Sequence, residues 1–313
     1  MFEKVLQEIR NHDTIIIHRH HHPDGDALGS QIGLKHLIMR NYPDKRVYMA
    51  GDEAGRYAFM ADSVMDLVND SLYPEALAFV LDTSARALIS DERYTRAHRT
   101  VRIDHHLFVE KIADVEVTDS SFESCCGLVT AMAQECGWML TPEAATALYT
   151  GMVTDSGRFR YDATSARTFR LAAYLMEQPI DTEKLYRDLY SVELKELRLK
   201  AAFIGKIALS AHGVAYIRTT RDELASMDCD SFTASRGMVG VMADVRGVDI
   251  WVNFTETERG ILCELRSGPY NINPVAVKYG GGGHAKASGA TVQGWDEAMR
   301  MLEDLDRMAE EGA

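Results

Sequence analysis

Early in this 313-residue chain, apolar runs repeatedly give way to acidic residues. Thr14–His18 (TIIIH) leads into HRHHHPDGDALGS, Ala76–Leu81 (ALAFVL) is followed at once by Asp82, and Thr100–Ile103 (TVRI) by Asp104-His105-His106. Short continuous apolar runs of this kind read as strands buried on both faces. A helical pattern covers Ala27–Arg40, and Arg46–Ala50 is a further strand candidate. Thr141-Pro142-Glu143 opens a helix with Thr as N-cap and Pro at the first helical position; it should run to about Val153, with Asp155 just beyond. Alternating strands and helices indicate a parallel, doubly wound sheet, whose ligand crevice lies at the carboxyl ends of the strands. Aspartates scattered at random would not gather there; a carboxylate-lined crevice would place them so.

The remainder reads differently. Residues 181–207 are helical throughout in pattern, with no proline and no glycine before Gly205. Val214–Thr219 alternates like a strand, Ile250–Phe254 and Ile261–Arg266 flank a turn at Gly260, Asn273–Lys278 opens a short helix, and Trp295–Met308 forms a last amphipathic one. The expected α/β organisation is therefore an N-terminal doubly wound parallel-sheet domain (1–180), a helical linker (181–207) and a smaller C-terminal α/β domain (208–313).

Composition narrows the function. A net charge of −13 repels long polyanions, so any nucleic-acid substrate should be short and gripped locally; the acidity also serves simple solubility. The five cysteines form no C-x-x-C pair and no zinc spacing, which fits reduced thiols in the cytoplasm. No signal-peptide core or membrane-length apolar run occurs, so no membrane partner is expected.

The chemistry-bearing candidates follow from the strand ends. His20, Asp24 and Asp26 can face one crevice, although Pro-Asp-Gly-Asp is also good turn chemistry. Two carboxylates and an imidazole suit Mn²⁺ or Mg²⁺. Asp82 could bridge two cations, or cap a helix through Asp-Thr-Ser. In Asp104-His105-His106, one histidine can ligate and the other face a phosphate, with Asp104 orienting a ring; an exposed polar loop is the plainer alternative. Asp155 is followed by Arg158 and Arg160, cations suited to phosphate oxygens or simply to the surface. Four carboxylates in one crevice require cations, and two metals about 3.5–4 Å apart are a standard device for phosphoester cleavage by a bridging hydroxide. No serine or cysteine nucleophile is evident. Farther on, GGGGHAKASG (Gly280–Gly289) lets backbone N–H groups approach an anion, with His284 and Lys286 as added donors; Arg266-Ser267 is a natural companion for a phosphate or base.

HRHHHPDGDALGS, LDTS, IDHH and TGMVTDSGRF occur in the order of the four motifs of the DHH phosphoesterase superfamily, and GGGGHAKASG resembles the glycine-rich motif of the associated DHHA1 domain. The resemblance spans about residues 14 to 290, and the compact length is similar to the NrnA-type members. It implies two divalent ions, typically manganese. One would be held by His20, Asp24 and Asp82, the other by Asp26, Asp82, His105 and Asp155. Asp82, Asp104, His105 and His106 would form the catalytic group, with His106 on the phosphate. Arg266, Gly281, Gly282, Gly283 and His284 would bind substrate, in an active-site cleft between the domains, and Arg158 and Ser267 join them from their places after Asp155 and Arg266 in the sequence. The implied activity is hydrolysis of very short RNA oligonucleotides and dinucleotides to mononucleotides, with 3'-phosphoadenosine 5'-phosphate as a further substrate. A soluble phosphodiesterase specialised for one linear dinucleotide (such as pApA or pGpG) and a catalytically silent nucleotide-binding regulator remain the alternatives, and a homodimer is left open.

Overall fold

A computed structural model describes residues 1–312 of the chain. Two compact units are present, Met1–Ser191 and Val192–Ala313. No helix among the described residues is long and apolar enough to cross a membrane.

The first unit begins with helix α1 (Glu3–Asn11), then strand β1 (Thr14–His18), helix α2 (Gly25–Asn41) and strands β2 (Arg46–Met49), β3 (Leu77–Leu81), β4 (Arg99–Asp104) and β5 (Val115–Thr118). All five strands pair in parallel in the order β2-β1-β3-β4-β5. Every residue of β1 and β3 is buried, as expected of strands covered on both faces. Helices α3 (Cys125–Glu135), α4 (Pro142–Asp155), α5 (Ala166–Leu175) and α6 (Thr182–Tyr190) complete the unit. Thr141 caps α4 as its sequence indicates, accepting the Ala144 N–H, and the helix runs on to include Asp155. Ile15, Ile17, Phe79, Leu81 and Ile103 meet Leu128, Leu148 and Met152 in one core.

Helices α2 and α4 touch almost backbone to backbone. A Cβ on Gly29 would stand 2.5 Å from the Ala147 carbonyl oxygen, and one on Gly151 would stand 2.2 Å from the Cys126 sulfur and 3.0 Å from the Asp26 Cα. Glycine at both positions lets the helix carrying Asp155 approach the helix carrying Asp26.

The second unit begins with α7 (Leu194–Ile204), followed by β6 (Ala208–Leu209), β7 (Ala215–Thr219), α8 (Arg221–Ser226), β8 (Ile250–Thr257), β9 (Gly260–Ser267), α9 (Asn273–Lys278), β10 (Gly282–His284), β11 (Ala287–Val292) and α10 (Trp295–Glu311). Its sheet order is β10-β11-β9-β8-β7-β6, antiparallel except for β7 with β8.

One expectation is corrected. The helical stretch over 181–207 is two helices, α6 and α7, with extended backbone at Ser191 and Glu193. Glu193, at the start of α7, supplies no side-chain cap there. GGGGHAKASG folds into a tight hairpin of β10 and β11, with Gly282 opposite Gly289 and His284 opposite Ala287. A Cβ on Gly283 would meet the Ala287 carbonyl at 2.7 Å and its φ is +131°, so the close crossing explains that glycine.

Candidate metal centre

The ends of β1, β3 and β4 and the last turn of α4 deliver the site. Asp24 is the N-cap of α2, its Oδ1 accepting the N–H groups of Asp26 and Ala27 at 2.9 Å each. The turn chemistry of Pro-Asp-Gly-Asp is thus realised, and the same carboxylate lies 3.8 Å from His20 Nε2. His20 Nδ1 donates to the His21 carbonyl at 2.8 Å, which turns Nε2 inward.

Asp82 sits at the centre. Its Oδ2 is 3.5 Å from His20 Nε2; its Oδ1 is 3.5 Å from His105 Nε2 and 3.6 Å from His106 Nδ1. The side chain is buried, and Oδ1 has no hydrogen-bond partner. The backbone at Asp82 holds φ +49°, an unusual conformation for a non-glycine residue of the kind that collects at functional sites. His105 Nε2 also lies 3.3 Å from Asp155 Oδ2 and 3.8 Å from Asp26 Oδ2, while its Nδ1 faces the Phe122 carbonyl at 3.3 Å.

Potential ligand atoms therefore gather in three sets, each within 4.8 Å: His20, Asp24 and Asp82; Asp26, His105 and Asp155; and Asp82, His105 and His106. Oxygen-rich donors with single imidazoles fit hard-to-borderline divalent ions, and the orphaned Oδ1 of Asp82 is a buried acceptor that such an ion would satisfy.

Electrostatics agree. Burial, with the neighbouring carboxylates of Asp82 and Asp155, pushes Asp26 well above the usual carboxylate range. Burial also carries Asp155 up to about 7, with Asp82 and Asp24 outweighing the opposing pull of His105. Burial disfavours charge on His20, yet the facing carboxylates of Asp24 and Asp82 raise it to about 10. His105 rises to about 10 for the same balance, against Asp82 and Asp26. Asp82, buried but facing those imidazoles, is held well below its ordinary value. Protons thus take the places where cations would neutralise the cluster.

Several supporting residues escaped the sequence reading. The Asp26 carboxylate accepts the N–H groups of Cys125 and Cys126 at 2.7 and 2.8 Å, so it rests on the N-terminus of α3, a favourable place for an anion. Arg19, fully buried, bonds Gln31, Asp52 and the His20 carbonyl, and Asp52 in turn accepts the His22 N–H. Arg102, also fully buried, bonds the Asp104 carboxylate, which accepts from His106 Nδ1 at 2.7 Å. That second arrangement had a signal: residues i and i+2 on a strand share a face, and a charge inside TVRI needs a partner.

The substrate-binding candidates are dispersed. Arg158 is exposed, with its guanidinium 3.9 Å from the Tyr190 ring centre. In the second unit, Arg266 pairs in register with Ala287, and Ala287 with His284, so Arg266 and His284 occupy one cross-strand row. Arg266 bonds the Glu264 carboxylate at 3.1 Å, and Arg236 bonds the other Glu264 oxygen at 3.0 Å. Ser267 is buried and accepts the Tyr270 N–H. The Gly281 N–H already donates to the Ala276 carbonyl at 2.9 Å and the Gly283 carbonyl accepts from Asn273, while Gly282 and Gly283 pair with Gly289 and Ser288 in the β10–β11 ladder.

A parallel-sheet unit with carboxylates and imidazoles converging at its strand ends, joined to a second mixed-sheet unit, defines a metal-dependent phosphoesterase architecture. Residues 14–152 match the DHH family, N-terminal domain, and residues 230–311 match the DHHA1 domain. The chain is 34% identical over 99% of both sequences to the bifunctional oligoribonuclease and PAP phosphatase NrnA of Bacillus subtilis, and 34% identical, covering 98% of each, to a probable counterpart from Streptococcus mutans. An exopolyphosphatase-related protein from Bacteroides fragilis has a similar structure, with a TM-score of 0.84, 27% identity, and coverage of 98% of this chain and 95% of that one. This chain belongs to the DHH phosphoesterase family, whose members are metal-dependent hydrolases.

Proposed function

We propose that this protein hydrolyses very short RNA oligonucleotides and dinucleotides to mononucleotides, and also removes the 3'-phosphate of 3'-phosphoadenosine 5'-phosphate. The observation that carries the reading is the shared carboxylate of Asp82, one oxygen toward His20 and the other toward His105 and His106. It is supported by similarity to relatives named for both activities. The residues that would hold one divalent ion are His20, Asp24 and Asp82, and those for a second are Asp26, Asp82, His105 and Asp155. Manganese suits this mixture of oxygen and nitrogen donors. Such ions, when bound, lower the pKa of an attacking water and neutralise charge on the phosphoryl group.

The protein's own contribution is positional. Asp104 holds the His106 ring by Nδ1, which leaves Nε2 to meet a phosphate oxygen. Asp104 itself stays ionised: burial opposes this, but His106 and Arg102 outweigh it. His106 is drawn upward by its bond to Asp104, which favours the protonated, donating ring. In the second unit, Arg266 and His284, with the Gly282 and Gly283 backbone, bind the nucleotide; Ser267 braces the Tyr270 turn beside them. The unpaired cysteines fit a cytoplasmic setting.

Incubating the protein and Mn²⁺ with 5'-labelled RNAs of graded length, with dinucleotides and with 3'-phosphoadenosine 5'-phosphate tests the proposal. Fastest turnover on the shortest RNAs and release of inorganic phosphate from the nucleotide support it. Nucleotide binding without turnover under every divalent ion would instead identify a silent regulator.

A further inference from the structure

Directly after His106 the chain shows three large apolar residues to solvent: Leu107 (77% exposed), Phe108 (64%) and Val109 (63%). Consecutive exposed apolar side chains are not solvated by choice, and they mark a contact surface. This segment is fastened at both ends. On its N-terminal side, Asp104 fixes the His106 ring and is itself bonded by Arg102. On its C-terminal side, the same Arg102 donates to the Glu110 carbonyl at 3.0 Å, the Glu110 carboxylate accepts the Arg86 N–H at 2.8 Å, and the Arg86 guanidinium donates to the Lys111 carbonyl at 2.6 Å. One buried guanidinium therefore ties together the residue that orients His106 and the far end of the apolar tip.

We propose that Phe108, flanked by Leu107 and Val109, is a stacking platform for the nucleobase next to the phosphate held at His106. The inference rests on the phosphodiesterase reading of the metal centre and adds a specificity-determining residue to it. Two residues of chain reach at most about 7 Å, which keeps Phe108 within a nucleotide's length of His106. A base hangs one ribose away from its phosphate. Fixed stems matter because a ring carried on an anchored backbone has less freedom to lose when a base covers it. Stacking tolerates every base but favours the larger purine face. The platform thus supplies affinity without hydrogen-bond readout, as a scavenger of mixed short RNAs needs.

The test compares Phe108→Ala and Phe108→Trp with the unaltered protein on three substrates in Mn²⁺: ApA, UpU and a dinucleotide analogue lacking its bases. Phe108→Ala should lower kcat/KM for ApA about tenfold, equivalent to about 1.4 kcal/mol, chiefly through KM. The loss on the abasic analogue should be several-fold smaller, and Phe108→Trp should restore ApA. Equal losses on ApA and the abasic analogue, or no loss on either, would overturn the platform while leaving the metal centre's role intact. Loss of self-association in sedimentation, with unchanged KM, would assign the patch to a second copy of the chain instead. If the unaltered protein cleaves none of the three, the phosphodiesterase reading fails and the platform with it.

Discussion

Arg102 and Asp104 share one face of β4 and bond to each other with both side chains fully buried. Breaking such a pair from one side leaves the buried Asp104 charge to His106 alone, at a cost of up to about 3–5 kcal/mol. Arg102→Met should therefore lower the melting temperature by up to roughly 6–20 °C in a unit of this size, followed by circular dichroism. An unchanged melting temperature would show that His106 alone suffices to hold the Asp104 charge.

Asp82 offers one oxygen to each side of the cluster, so Asp82→Asn should weaken both cation sites at once. Even outer partners of metal ligands typically contribute 10–100-fold, so a loss of at least about 100-fold in turnover is expected. Metal content by mass spectrometry should fall in parallel. Full metal content in an inactive variant would contradict the shared-ligand role.

Protonation should compete with metal binding. Asp155 is raised to about 7, chiefly by burial, so its neutral form persists to that pH; His20 and His105, raised to about 10, still hold protons there. Cations must displace these protons. Mn²⁺ affinity should rise steeply between about pH 6 and pH 8, with protons released on binding, as calorimetry in buffers of different ionisation enthalpy would measure. Equal affinity at both ends of that range would sink the idea.

Contact between α2, α3 and α4 should be sensitive to a single methyl group. Gly151→Ala must displace the Cys126 sulfur or the Asp26 backbone, and overpacking of this kind costs about 1–3 kcal/mol. Because α4 also carries Asp155, activity should fall more than stability alone explains. Unaltered stability and turnover would mean the helices can separate freely.

In the second unit, Arg266→Ala and His284→Ala should spare metal binding but cut nucleotide turnover by about 100-fold, the scale of a misplaced substrate. A small generic phosphodiester should suffer much less. Proportional losses on both substrates would remove these residues from recognition.

How far the sequence reveals this arrangement depends on whether the determinant is local. TIIIH, ALAFVL and TVRI are strands in the structure because each is a run of apolar residues with no competing turn, and the aspartates that follow them stand at the crevice. By contrast β5 is only four residues of mixed polarity at the sheet edge, and α3 opens on Ser-Cys-Cys-Gly, although Cys125, Leu128, Val129, Met132 and Ala133 then recur at helical spacing. Asp26 could be flagged as acidic, but its seat on the α3 N-terminus depends on distant chain. The broken helix between α6 and α7 was hidden because Ser191, Val192 and Glu193 contain neither glycine nor proline.

Asp24 joins two events that are usually separate. The oxygen that accepts the first free N–H groups of α2 belongs to the same carboxylate that faces His20. An ion drawn to that carboxylate competes with, or polarises, the bonds that begin the helix. Cation occupancy should thus be written into the amide exchange rates of Asp26 and Ala27, giving a readout of the centre that needs no substrate. Asn caps a helix about as well as Asp, so Asp24→Asn would keep the helix start while silencing that response.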